Sequence, residues 1–258
     1  MKPRLGQHFL FDSEILDRII DTAGINDDDT IIEIGPGPGT LTVKLLEKAG
    51  RVIAIELDRM LYHKLEQRFH GNDKLQLVSG DALKFDFGSV GRFKVVSNIP
   101  YQITSPLIFE LLRNKDLLSS MTLTMQKEVA DRIVAVPGSK TYGILSITVQ
   151  YHTEPAQIFT IPPEAFRPPP KVESSVVRFK ILNSPSVNPI DSELYFRIIK
   201  TAFNQRRKTI ANTLKSLYGA NIVEYLISSG IDPKLRPETI SPKQFADLSN
   251  TIKRFTDM

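Results

Sequence analysis

TIIEIGPGPG, residues 30–39, is the stretch on which the fold turns. Its first half is an apolar run broken by one acid, Glu33, which suits a strand buried on both faces. Its second half sets Gly35, Gly37 and Gly39 apart by single prolines. Glycine lets the chain turn tightly and lets its backbone approach a ligand closely. Residues 40–49 then carry helical spacing up to Gly50. Strand, glycine turn and helix in that order open a doubly wound α/β sheet.

Working outward, the alternation continues. Strands are expected over 51–57, 75–79, 93–97 and 121–125, and helices over 59–69, 105–112 and 127–136. Parallel strands need crossover connections, so this rhythm predicts a parallel sheet with helices on both faces. Upstream, Asp12 can cap a helix whose residues Ile15, Leu16, Ile19, Ile20 and Ala23 share one face, with Gly24 ending it. Downstream, 143–149 reads as a helix, and 157–160 and 174–179 as strands that extend the sheet. Between those two lies IPPEAFRPPP, residues 161–170, expected to be a stiff extended loop outside the core. NSPSVNP, residues 183–189, reads as a linker, and everything from Ser192 onward as helical and basic. The expected organisation is a Rossmann-like domain, 1–183, followed by a small all-helical domain, 190–258.

Composition excludes several classes. The 258 residues are 41% hydrophobic and 24% charged, with no cysteine, so disulfide and thiolate chemistry are absent. The four histidines do not pair with carboxylates at metal-ligand spacing, so no metal is expected. No apolar run approaches the roughly 20 residues that span a bilayer, and no signal peptide is expected, which fits a cytoplasmic protein. The net charge of +4 is uneven: residues 1–90 carry −4, 91–194 carry +2 and 195–258 carry +6. A basic C-terminal quarter points to an anionic macromolecular partner.

Glu56 closes the second strand, twenty-one residues after Gly35, where a carboxylate accepts hydrogen bonds from a ribose diol. The turn is G-x-G-x-G with proline at both x positions, tighter than the dinucleotide fingerprint. Prolines remove N–H groups that a pyrophosphate would want. S-adenosylmethionine (SAM) has a ribose and an adenine but no phosphate. Asp81, after the third strand, can accept from an adenine amine. Gly35, Glu56 and Asp81 thus mark a SAM site at successive strand ends, as in a Rossmann-like methyltransferase sheet.

SNIPY, residues 97–101, ends the fourth strand at the same edge. An adenine amine is a poor nucleophile because its lone pair is delocalised into the ring. Two acceptors on its two N–H bonds draw the nitrogen toward tetrahedral geometry. The Asn98 side-chain oxygen and the Ile99 carbonyl can be those acceptors. Pro100 stiffens the turn, and Tyr101 offers a face for the base. Catalysis would then be positioning and electrostatics. A target base must leave its stack, and Phe166 is the candidate second face.

These stretches, with LGQHFL (5–10), FRPPPKVES (166–174) and FNQRRK (203–208), resemble the KsgA-type small-subunit ribosomal RNA adenine N6,N6-dimethyltransferases in family order over nearly the whole chain. The C-terminal patterns at 203–208 and 232–237 look closer to bacterial than to eukaryotic members. The resemblance implies that the N-terminal segment folds over the cofactor, so that His8 and Leu10 contact SAM. It places Asn98 at both SAM and the target base. It implies dimethylation of two adjacent adenosines in the terminal hairpin loop of small-subunit rRNA, with the small ribosomal subunit as partner. Lys200, Arg206, Arg207, Lys208 and Lys215 would then contact rRNA phosphates. A monomer is expected. A large-subunit rRNA methylase or a DNA adenine methylase would use the same clamp, and stays open at this point.

Overall fold

The computed structural model describes residues 8–205 and 207–256. In chain order its elements are β1 (Phe9–Leu10), α1 (Ser13–Ala23), β2 (Thr30–Ile34), α2 (Thr40–Lys48), β3 (Arg51–Glu56), α3 (Arg59–Arg68), β4 (Leu75–Ser79), β5 (Phe93–Asn98), α4 (Thr104–Arg113), β6 (Leu118–Gln126), α5 (Lys127–Ile133), α6 (Ile144–His152), β7 (Thr153–Ile161), β8 (Phe166–Arg167), β9 (Ser174–Ile181), α7 (Ser192–Phe203), α8 (Ile210–Tyr218), α9 (Ile222–Ser228) and α10 (Pro242–Thr256). Among the described residues no helix is long and apolar enough to cross a membrane.

Seven strands form one sheet in the order β4-β3-β2-β5-β6-β9-β7. The first five are parallel, and β9 runs antiparallel to β6. The chain runs outward from β2 to β4, then returns to lay β5 on the other side of β2. That reversal makes the gap between β2 and β5 the switch point, where open α/β sheets bind ligands. The apolar runs of the central strands are buried because helices cover both faces: in β2 everything after Thr30 is inaccessible, whereas β4 at the edge has no buried residue. α1 is capped as expected, Asp12 accepting from the Ile15 N–H at 3.0 Å and Gly24 closing it in the left-handed region.

Several boundaries depart from the sequence expectation. β7 begins at Thr153 and contains Pro155, which a strand tolerates when it lies at a sheet edge, as β7 does. α5 stops at Ile133, short of the expected 136, ahead of Val136-Pro137, where proline restrains the residue before it. The proline-rich loop is not outside the core. It contains β8, which pairs antiparallel with β1 as Phe9↔Arg167 and Leu10↔Phe166.

The chain divides into two compact units: residues 1–130 with 154–181, and residues 131–153 with 182–258. This differs from the expected boundary, because α6 joins the C-terminal helices. Its Leu145, Ile147, Val149 and Tyr151 are all buried, and Tyr151 packs on Tyr195 of α7 with ring centroids 5.5 Å apart. The second unit closes over Tyr142, Tyr195, Ile198, Leu226, Phe245 and their neighbours, and the Tyr142 hydroxyl donates to the Ile240 carbonyl at 3.1 Å.

Candidate functional site

Two strand ends meet at the switch point. Gly35 follows β2 with φ +67° and donates its N–H to the Ile55 carbonyl at 2.9 Å. A Cβ at Gly35 would stand 3.2 Å from the Pro100 ring, so only glycine brings the two turns this close without displacing the proline. Gly37, at φ +58°, is more restricted: its Cβ would stand 2.6 Å from the Phe9 ring. Phe9 therefore rests directly on the backbone of the glycine turn.

Three acids lie along this edge. Glu56 is 1% exposed and accepts from the Gly37 N–H at 3.1 Å and the Asp58 N–H at 2.8 Å. Burial raises its pKa, and those two bonds oppose the rise. A carboxylate has about four acceptor positions, so capacity remains for a ribose diol. Asp81 caps the turn after β4, one oxygen accepting from the Leu83 N–H at 3.0 Å. The third acid, Glu33 in β2, has no role in the sequence expectation. It is 2% exposed, and the Thr42 hydroxyl of α2 donates to it at 2.6 Å. Desolvation raises its pKa to about 8, the Thr42 bond opposes this, and the charge of Glu56 adds to it. The burial follows from the apolar run around Glu33, but the Thr42 bond leaves no local sequence signal.

At the end of β5 the Asn98 amide is held from one side. Its Nδ2 donates to the His8 carbonyl at 3.0 Å, which fixes which end of the amide is oxygen. Its Oδ1 is buried and has no hydrogen-bond partner among the described residues. An unpaired buried acceptor costs about 1–3 kcal/mol, so it marks a place where a donor belongs. Ile99 is 1% exposed and its N–H donates to the Thr124 carbonyl at 3.1 Å; its side chain is core, and only its carbonyl can face a ligand. Tyr101 shares a 2.6 Å hydrogen bond with Ser174 and stacks on His8 with centroids 5.5 Å apart. His8, Phe9, Gly35 and Asn98–Tyr101 together line a cavity of about 30 Å³.

β1 and β8 form a strap beside this cavity. Beyond the two paired rungs, His8 Nδ1 donates to the Pro168 carbonyl at 2.7 Å and the Phe11 N–H to the Ala165 carbonyl at 3.4 Å. The strap's core face corrects one expectation. Phe166 is 1% exposed and packs in a cluster with Leu10, Leu16, Ile20, Leu41 and Val96, so it offers no free face to a base in this conformation. Leu10 is buried in the same cluster; its carbonyl, accepting from Thr40 Oγ1 at 2.8 Å, secures the strap to the first turn of α2.

In the second unit, Lys200, Arg207, Lys208 and Lys215 are all exposed. They cluster around the last turn of α7 and the start and body of α8. Arg206 lies outside the described residues, as do residues 5–7 of the N-terminal motif. Among the described residues no group of His, Cys, Asp and Glu could hold a metal ion.

Comparison with known proteins gives a consistent set of relatives. A family model described as ribosomal RNA adenine dimethylase matches residues 1–254. A Moorella thermoacetica protein named Ribosomal RNA small subunit methyltransferase A is 43% identical, aligning 96% of this chain with 91% of its own. Its namesake in Alcanivorax borkumensis is 44% identical, aligning 100% with 92%. Among solved structures, a dimethyladenosine transferase from Plasmodium falciparum superposes with TM-score 0.78 at 28% identity, over 97% of this chain and 98% of that one. The 23S rRNA methyltransferase ErmE superposes with TM-score 0.75 at 26% identity, over 95% and 99%.

Proposed function

The chain belongs to the ribosomal RNA adenine dimethylase family, and on that premise we propose that it transfers methyl groups from SAM to the N6 amines of two adjacent adenosines in the 3′-terminal hairpin loop of small-subunit rRNA. The observation that carries the chemistry is Asn98: its Nδ2 is held by the His8 carbonyl while its Oδ1 is buried without a partner. The small subunit is favoured over the large one because relatives at 43–44% identity carry the small-subunit name, whereas the large-subunit neighbour is 26% identical.

The residues present fit the cofactor. Glu56 accepts the ribose hydroxyls, the second oxygen of Asp81 accepts the adenine amine, and Gly35 lets the backbone approach. Bound SAM supplies a methyl group on a cationic sulfur, a good leaving group. Asn98 Oδ1 and the Ile99 carbonyl accept hydrogen bonds from the target N6, two before the first transfer and one before the second, localising its lone pair. As each N–C bond forms the S–C bond breaks, and the proton that the alkylated nitrogen sheds passes to solvent. Tyr101, its hydroxyl tied to Ser174, holds the base in plane. No side chain has to act as a strong base. These groups are fixed by the fold before substrate arrives, which is where preorganised electrostatic catalysis gains its advantage. The exposed bases of the second unit contact phosphates and set register without reading sequence. The chain works as a cytoplasmic monomer in this scheme, with small-subunit biogenesis as its setting.

The test is transfer of labelled methyl from SAM to small subunits lacking the dimethyladenosines, with large subunits and naked small-subunit rRNA in parallel. Four methyls per small subunit, with large subunits blank, is the expected result. Label on large-subunit rRNA alone overturns the substrate and keeps the clamp.

A further inference from the structure

Phe11 and Arg167 take no part in methyl transfer itself. Phe11 is 43% exposed, and it is the one exposed phenylalanine or tyrosine of the first unit among the described residues. The Arg167 guanidinium lies 5.7 Å from its ring centroid. Arg167 is exposed and forms no ion pair among the described residues. The strap's register explains where the pair points. Opposite residues of an antiparallel pair share a face, and successive residues alternate. Leu10 and Phe166 take the core face. Phe9, Arg167 and, one rung on, Phe11 therefore share the other, and Phe9 lines the cavity with Asn98, Pro100 and Tyr101.

A flat apolar ring left in water, with an unpaired guanidinium beside it, on the cleft-side face of the strap, suits one kind of ligand. An unstacked nucleotide offers a π-face to the ring and a phosphate to the planar guanidinium fork. Extruding a target adenosine from a loop leaves its neighbours unstacked. We propose that Phe11 and Arg167 form a platform for the unpaired RNA nucleotide flanking the target adenosine, Phe11 stacking on its base and Arg167 contacting its phosphate. The platform carries no base preference of its own. It rests on the rRNA reading above.

The experiment compares the full chain with Phe11→Leu, Phe11→Tyr and Arg167→Gln. Steady-state methyl transfer is read at saturating SAM, alongside SAM affinity, melting temperature, and anisotropy of a labelled unpaired RNA oligonucleotide that needs no turnover. Phe11→Leu should raise the RNA KM and weaken oligonucleotide binding about tenfold, the scale of one missing base stack. Phe11→Tyr, which keeps the ring, should restore both. Arg167→Gln should lower the salt slope of binding by about one. SAM affinity should be unchanged throughout. Unaltered RNA binding in Phe11→Leu overturns the platform. So does weaker RNA binding that tracks an equal loss of SAM affinity and melting temperature, because that pair would then only brace the strap. If the wild-type chain methylates no RNA, the catalytic reading fails, while the oligonucleotide arm still decides the platform.

Discussion

Asn98 and Glu33 are both half of a pair, and each yields a measurement. Asn98→Ala removes the unpaired acceptor but leaves Glu56, Asp81 and the glycine turn in place. Turnover should fall by about two to three orders of magnitude, the effect of deleting one preorganised hydrogen-bonding group from an active site, while SAM affinity by calorimetry stays within a few-fold. Retained turnover would remove Asn98 from the clamp. Glu33 binds its proton more tightly in the folded chain, with a pKa of about 8, than in the unfolded chain, near 4.3. The unfolded chain therefore releases that proton first as pH rises. Stability should fall by about 1.4 kcal/mol per pH unit between those two values from this group alone. Glu33→Gln keeps the shape of the protonated acid and an acceptor for Thr42, so its urea unfolding curves should lack that part of the slope. Parallel slopes in the two proteins would show that Glu33 ionises normally. Gly35, Glu56, Asp81 and Asn98 were legible in the sequence because parallel strands bring their carboxyl ends to one edge. The bond between Glu33 and Thr42 was not, because a strand and its following helix carry no signal for which side chains face one another. Phe9 against Gly37 was hidden for a related reason: the strap strand and the glycine turn that meet there are separate elements with nothing in either to mark the other.

At the scale of elements, the strap is where sequence and structure part. Proline-rich composition marks 161–170 as a stiff extended loop, but it misses the 3-10 turn at Pro163–Ala165, and a two-residue strand has no propensity to detect. It exists because a second short segment pairs with it, and that pairing places Phe166 in the core. Phe166→Ala should therefore cost about 3–5 kcal/mol, as for other buried phenylalanines, measured by denaturant unfolding. A purely base-stacking Phe166 would leave stability unchanged. The edge position of β7 is a similar case. Pro155 reads as a strand breaker until the sheet order puts β7 at an edge, where one side of the strand has no partner to bond.

For the whole molecule, the alternation of strands and helices was enough to predict a doubly wound sheet, and the order of the motifs to predict the family. The division into units was less legible. α6 is apolar enough to belong to either core, and only its packing on α7 assigns it. The basic charge of the last quarter was plain, and its consequence is a salt effect. Arg207→Ala combined with Lys208→Ala should weaken small-subunit binding and lower the slope of log affinity against log salt by about two, near one for each phosphate no longer neutralised. An unaltered slope would move the RNA path elsewhere. The strap also has a consequence in time. The hydrogen bond from His8 to Pro168 at its end joins residues 160 positions apart, so a chain emerging from synthesis has its glycine turn and its Asn98 long before it has the partner strand that holds His8 over them. A growing chain cannot assemble its own active site early. The cover over the cavity comes only when the chain reaches residues 166–168.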